Sequence, residues 1–91
     1  MTLWRKDAKR DLAEKAILEA LATIGALVVQ MDWLDLLVGW GQRWTVLEVK
    51  TGTAKLKPHQ EARLEQCHRL GLPAAVVRTP EEALQAVGAA H

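Results

Sequence analysis

An α/β fold, a mixed sheet flanked by helices, is predicted by three features of the 91-residue sequence. One long segment has the apolar periodicity of a helix, two others carry helix start signals, and four short runs have the composition of strands. We find no internal repeat or linker. We therefore expect a single domain over residues 1–91, in the order helix, strand, strand, strand, helix, strand, helix.

The first half of the chain predicts one helix and three strands. Apolar residues recur at helical spacing over residues 5–24, and Gly25 marks the end of that helix. The runs ALVVQM, LDLLV and RWTVLEVK are β-prone, and residues 39–42 between the last two suit a hairpin loop.

The second half predicts a helix, a strand and a short helix. Pro58 fits the first position of a helix that runs to Leu70, and the run LPAAVV then reads as the fourth strand. Thr79 and Glu82 have the spacing of a capping box, which opens a last helix ending near Gly88.

The composition limits the classes of function. A formal net charge of +1 gives no general basic field, so any contact with nucleic acid must be local. The single cysteine, Cys67, reads as a small core residue, and it favours a reducing cytoplasmic setting. No apolar run is long enough for a membrane span, and the N-terminus does not resemble a signal peptide.

Charged residues interrupt the most apolar part of the chain. Side chains alternate along a strand, so Glu48 and Lys50 share one face of the third strand while Leu47 and Val49 point into the core on the other. A hairpin through residues 39–42 would place Asp35 of the preceding strand opposite or diagonal to Glu48. Two carboxylates and one ammonium group would then converge.

The convergence has two interpretations. Two close carboxylates repel each other unless a cation compensates, and Mg²⁺ bound there could assist phosphodiester hydrolysis. The alternative is a surface ion pair between Glu48 and Lys50 on a half-exposed strand. Two polar residues on otherwise apolar helical faces, Glu14 and Gln60, need partners and favour the first interpretation.

The ordered series of motifs resembles the PD-(D/E)xK nuclease superfamily. It runs from RDLAEKAILEALATIGALVV through LDLLVG, LEVKTG and LKPHQ to AAVVRTPEEAL, and is most similar to the VRR-NUC domain. The resemblance implies a restriction-endonuclease-like core with Asp35, Glu48 and the backbone carbonyl of Val49 as metal ligands. It also implies that Lys50 is the catalytic lysine.

The same resemblance assigns supporting roles and shows one departure. Glu14 matches the acidic residue of the family's first helix, which can support a metal or its waters, and Gln60 matches a glutamine that helps to order the site. Leu34 stands where the family usually has proline before its aspartate, which leaves the local backbone path in question.

The implied activity is a Mg²⁺- or Mn²⁺-dependent endonuclease acting on branched DNA such as junctions or flaps. A homodimer would supply two sites and a larger groove. The resemblance implies such a dimer, because stand-alone members of the family tend to be dimers. Two rivals remain open: a Holliday-junction resolvase of the same superfamily, and a non-catalytic DNA-binding or assembly module on the same fold.

Other residues have both a functional and a plain structural interpretation. Trp33, Trp40 and Trp44 could stack on unpaired bases or could serve packing or a subunit interface. We expect no metal role for His59 or His68, and a loop position for Asp32. Phosphate contacts are predicted for five basic residues, of which the first three could equally form a solvated helix face: Lys6, Lys9, Arg10, Lys55 and Lys57.

Overall fold

The computed structural model describes residues 8–89, with side chains from residue 12 onward. The predicted order of elements is confirmed. The elements are α1 (Ala8–Thr23), β1 (Leu27–Gln30), β2 (Leu36–Trp40), β3 (Arg43–Val49), α2 (Pro58–Arg69), β4 (Ala74–Val77) and α3 (Pro80–Val87).

The four strands form one mixed sheet in the order β1-β2-β3-β4. The pairs β1–β2 and β2–β3 are antiparallel, whereas β3 and β4 are parallel. Two parallel neighbours need a crossover, and α2 supplies it. This crossover carries α2 from the end of β3 back to the start of β4, across the sheet.

A two-residue turn sets the register of the central hairpin. Gly41 and Gln42 both have positive φ, 65° and 64°, as a type I′ turn requires. The strands extend to Trp40 and Arg43 on either side, so the loop is shorter than the predicted residues 39–42. The register pairs Leu36 with Leu47, which brings the residue before Leu36 alongside Glu48.

The main core lies between one face of the sheet and two helices. It is a cluster of buried side chains from α1, β2, β3, β4 and α3: Ile17, Leu21, Leu36, Val38, Leu47, Val49, Val77, Ala83 and Val87. The predicted core positions on β3, Leu47 and Val49, are thus confirmed. On α2, Leu64 and Cys67 are also buried, so Cys67 is the core residue that the sequence predicts.

The last helix begins at the predicted cap. Thr79 Oγ1 accepts a hydrogen bond from the Glu82 backbone N–H at 3.1 Å. The Glu82 carboxylate reaches one residue further back than a capping box requires and accepts from the Arg78 backbone N–H at 2.7 Å. Gly88 ends the helix in the left-handed conformation, with φ of 92°.

Among the helices described here, none has the length and apolar character needed to cross a membrane.

Candidate functional site

Asp35 lies in the loop that joins β1 to β2, one residue before β2 begins, and not within the strand as predicted. Its backbone carbonyl accepts a hydrogen bond from the Met31 N–H at 2.9 Å, which closes the loop. Its Oδ2 accepts from the backbone N–H of Val49 at 2.8 Å. The carboxylate is therefore anchored to the end of β3, adjacent to Glu48.

Glu48 is a charged residue in the interior, with 2% of its surface exposed. Its Oε2 accepts a hydrogen bond from Gln60 Nε2 at 2.8 Å and lies 3.8 Å from the Lys50 Nζ. Lys50 is itself only 8% exposed. The alternative of a surface ion pair on a half-exposed strand is therefore wrong, because both side chains are buried.

Gln60 connects the start of α2 to the buried carboxylate. Its Oε1 accepts from the backbone N–H of Lys57 at 2.8 Å, so this oxygen faces the helix start and the amide Nε2 is presented to Glu48. The two hydrogen bonds define which way the amide points. The sequence pattern predicted that Gln60 would find its partner at the carboxylate cluster, and the geometry confirms that contact.

Lys50 extends the strand by one backbone hydrogen bond. Its N–H donates to the Val77 carbonyl at 3.0 Å, which fixes the end of β3 against β4. Thr51 follows, and its hydroxyl is buried without a hydrogen-bond partner in the described part of the chain. Because buried hydroxyls are normally bonded, this oxygen suits a water or ligand atom beside the cluster.

Glu14 lies half-buried on α1 and accepts a hydrogen bond from Gln30 Nε2 at 3.4 Å. Gln30 is the last residue of β1 and pairs with Leu36. Glu14 therefore sits beside the strand end from which the Asp35 loop departs, on an element that also contacts β3.

The loop around Asp35 is held without the proline that the resemblance led us to expect. Leu34 is buried, with 3% exposure, and so anchors the loop in the protein interior. Arg63 of α2 donates from Nη1 to the backbone carbonyl of Trp33, and its Cζ lies 5.7 Å from the centre of the Trp33 ring. These contacts define the backbone path that the sequence left in question.

Two arginines of this region were missed in the sequence. Arg63 follows Gln60 by three residues and thus lies on the same face of α2. This spacing is the sequence signal that could have identified Arg63 as a residue near the site. Arg78 donates from Nη1 to the Gly52 carbonyl at 2.8 Å and so tethers the loop between β3 and α2. Its position just after β4 carried no comparable signal.

The basic residues predicted to contact DNA are only partly described. Lys55 and Lys57 are exposed on the tethered loop, and the backbone N–H of Lys57 bonds Gln60. Lys6 lies outside the described residues, as do the side chains of Lys9 and Arg10.

Trp33, Trp40 and Trp44 lie outside the main core. Trp40 Nε1 donates to the Ile24 carbonyl, just after α1, at 3.2 Å, and the Trp44 ring stands over Gly39 within the hairpin. Trp33 and Trp44 are 40% and 48% exposed.

Two further predictions concern the remaining polar residues. Asp32 is an exposed loop residue, as predicted. The side chains that the structure describes, residues 12–89, include no group of three or more His, Cys, Asp or Glu placed to hold a metal ion, and the expectation for His59 and His68 stays a prediction.

The cluster provides a donor set of a particular chemical kind. Two carboxylates and one ammonium leave a formal charge of −1, and all available ligand atoms from Asp35, Glu48 and the Val49 carbonyl are oxygens. Mg²⁺ and Mn²⁺ prefer such hard oxygen ligands and commonly use only one or two carboxylates. The residues present therefore fit a divalent cation of this kind.

One solved structure, a VRR-NUC domain, superimposes on the chain with a TM-score of 0.76. The alignment covers 89% of this chain and 96% of that domain, with 24% sequence identity. The chain has the fold of a VRR-NUC domain. No protein-family model and no curated protein matches the sequence. The fold predicted from the ordered motifs is thus confirmed by structural similarity.

Proposed function

We propose that this protein is a VRR-NUC nuclease: a metal-dependent DNA endonuclease that hydrolyses phosphodiester bonds within one domain formed by residues 1–91. The observation that carries the proposal is the meeting of two carboxylates from separate segments. Asp35 bonds the Val49 N–H at 2.8 Å, and the neighbouring Glu48 is buried beside Lys50. The VRR-NUC fold supports the same conclusion.

Each residue of the cluster has a proposed role. Asp35, Glu48 and the Val49 carbonyl would hold Mg²⁺ or Mn²⁺. Such a cation, when bound, would supply polarisation of the phosphodiester and would lower the pKa of a water molecule. Lys50 orients the attacking water by hydrogen bonding and stabilises the negative charge that develops on the phosphoryl oxygens.

Two residues support these groups from the helices. Gln60 keeps the Glu48 carboxylate in one orientation through its 2.8 Å hydrogen bond. Glu14 acts from α1, where it supports the cation or its water shell. Both roles agree with the half-buried positions of these side chains.

The substrate is proposed to be branched DNA, such as a junction or a flap, in the cytoplasm. Lys55 and Lys57 are exposed on the loop between β3 and α2 and would contact the phosphates, and we assign the same role to Lys6, Lys9 and Arg10. A domain of this size offers one site, so we propose a homodimer, which presents one site to each of two strands.

Cleavage assays on plasmid and four-way junction DNA test this function. Wild type should cut with Mg²⁺ or Mn²⁺ and should not cut with chelator, and Asp35→Asn should lose cutting while remaining folded by circular dichroism. Metal-dependent cutting that survives in Asp35→Asn would show that another site, or a contaminant, is responsible. Paired symmetric nicks in the junction would identify a resolvase, and cutting confined to flaps would identify a flap nuclease.

A further inference from the structure

Helix α2 contacts both carboxylate-bearing segments of the candidate site. Gln60 and Arg63 are three residues apart, so they project from the same side of the helix. Gln60 bonds the Glu48 side chain on β3, whereas Arg63 bonds the Trp33 carbonyl in the loop that carries Asp35. One rigid helix thus touches the two segments whose separation sets the geometry of the site.

The Asp35 segment needs such support more than Glu48 does. Glu48 lies within β3, where it pairs with Val76 of β4, and the preceding residue, Leu47, pairs with Leu36 of β2. Asp35 precedes β2 and lies in a loop, where the backbone is less constrained than in a strand. The position of the Asp35 carboxylate relative to Glu48 therefore depends on the contacts that hold the Asp35 loop.

Arg63 holds this loop in two ways. Its guanidinium donates to the backbone carbonyl of Trp33 and stacks near the Trp33 ring, with Cζ 5.7 Å from the ring centre. That distance is within the range of a cation–π contact. A planar guanidinium can make both contacts at once, which a lysine ammonium cannot do equally well.

We infer that Arg63 is a positioning residue: through Trp33 it holds Asp35 at the distance from Glu48 that a divalent cation requires. The metal part of this inference rests on the proposed function, whereas the mechanical part does not. Residues that support metal ligands without touching the metal typically change metal affinity or activity by about 10- to 100-fold when removed.

A backbone reporter of the Asp35 position needs neither metal nor DNA. The N–H of Val49 donates to Asp35 Oδ2, so its hydrogen-exchange rate reports whether Asp35 stays in place. In chelator, Arg63→Met should speed Val49 exchange by about tenfold or more, while the amide of Leu47 in the same strand keeps its rate. Asp35→Ala removes the acceptor and sets the upper limit. Arg63→Lys should restore part of the protection.

Arg43 provides a matched control. It also donates from its guanidinium to a backbone carbonyl, that of Ala86 at 3.0 Å, but it lies at the hairpin end of β3. It lies five positions before Glu48, which is about 16 Å along the strand. Arg43→Met should therefore leave Val49 exchange unchanged.

Titration of Mn²⁺ alone by calorimetry then tests the link to the metal. Wild type and Arg43→Met should bind Mn²⁺ equally, and Arg63→Met should bind it about 10- to 100-fold more weakly. In cleavage of a junction substrate, Arg63→Met should change kcat, which falls, by a larger factor than KM. If Val49 exchange in Arg63→Met equals that of wild type, the positioning role is wrong. If exchange rises but wild type neither binds Mn²⁺ nor cuts DNA, the mechanical role stands and the proposed function fails.

Should Arg63→Met not fold, Arg63→Lys carries the same test. Lysine retains the positive charge and most of the aliphatic chain. The variant therefore tests the loss of the planar guanidinium group alone. Val49 exchange between the wild-type and Asp35→Ala rates supports the inference, and a rate equal to wild type overturns it.

Discussion

The hydrogen bond between Gln60 and Glu48 should contribute strongly to stability, and Gln60→Leu tests its contribution. The substitution keeps most of the side-chain volume and removes both polar atoms. Glu48 is 2% exposed, so water replaces the lost Nε2 donor poorly, whereas the N–H of the exposed Lys57 can be hydrated. A hydrogen bond to a charged group is worth about 1.5–3 kcal/mol.

We therefore expect Gln60→Leu to lower the free energy of unfolding by about 2–3 kcal/mol in chelator. For a domain of this length that corresponds to a drop in Tm of roughly 10–20 °C. Urea unfolding followed by tryptophan fluorescence measures the change directly.

Gln66 supplies the control on the same helix. It is exposed, and Gln66→Leu should change stability by no more than about 0.5 kcal/mol. If Gln60→Leu costs no more than Gln66→Leu, the buried carboxylate does not depend on Gln60, and the structural reasoning about this contact is refuted.

Two further predictions concern a helix cap and the tethered loop. Thr79→Ala should cost about 1 kcal/mol in urea unfolding, because the Glu82 N–H loses its side-chain acceptor; an unchanged midpoint would contradict this. Combined Lys55→Ala and Lys57→Ala should reduce the salt dependence of DNA binding, lowering the log–log slope by about 1.8 if each contacts one phosphate. Lys15 is exposed on α1, so Lys15→Ala is the control. An equal slope in the two variants would show that the loop does not contact DNA phosphates.

The order of elements was predictable because local signals agreed with the final packing. The hairpin between β2 and β3, the cap at Thr79 and Gly88, and the alternation along β3 all depend on signals within a few residues. Such signals are readable in one sequence, and the structure confirms them.

The carboxylate cluster was predictable for a related reason. Alternation and a short hairpin together fix which residues of β2 and β3 lie opposite each other. Gln60 followed from the rule that a polar residue on a buried face requires a partner. Its actual contact, a 2.8 Å hydrogen bond to Glu48, is the outcome that this rule anticipates.

The loop position of Asp35 and the arginine contacts were not predictable. Each depends on tertiary distances between segments far apart in sequence, 30 residues for Arg63 and Trp33 and 26 for Arg78 and Gly52. Arginine is common on solvated helix faces, so its type and spacing alone do not separate a tether from a surface charge.

The most direct test of the central claim is single-turnover cleavage of junction DNA by wild type and Lys50→Ala. We predict metal-dependent cutting by wild type, and at least about a hundredfold slower cutting by a folded Lys50→Ala that still binds Mn²⁺ and DNA, because the lysine acts on the transition state. Equal rates for the two proteins, or no cutting by wild type with either Mg²⁺ or Mn²⁺, would contradict the account.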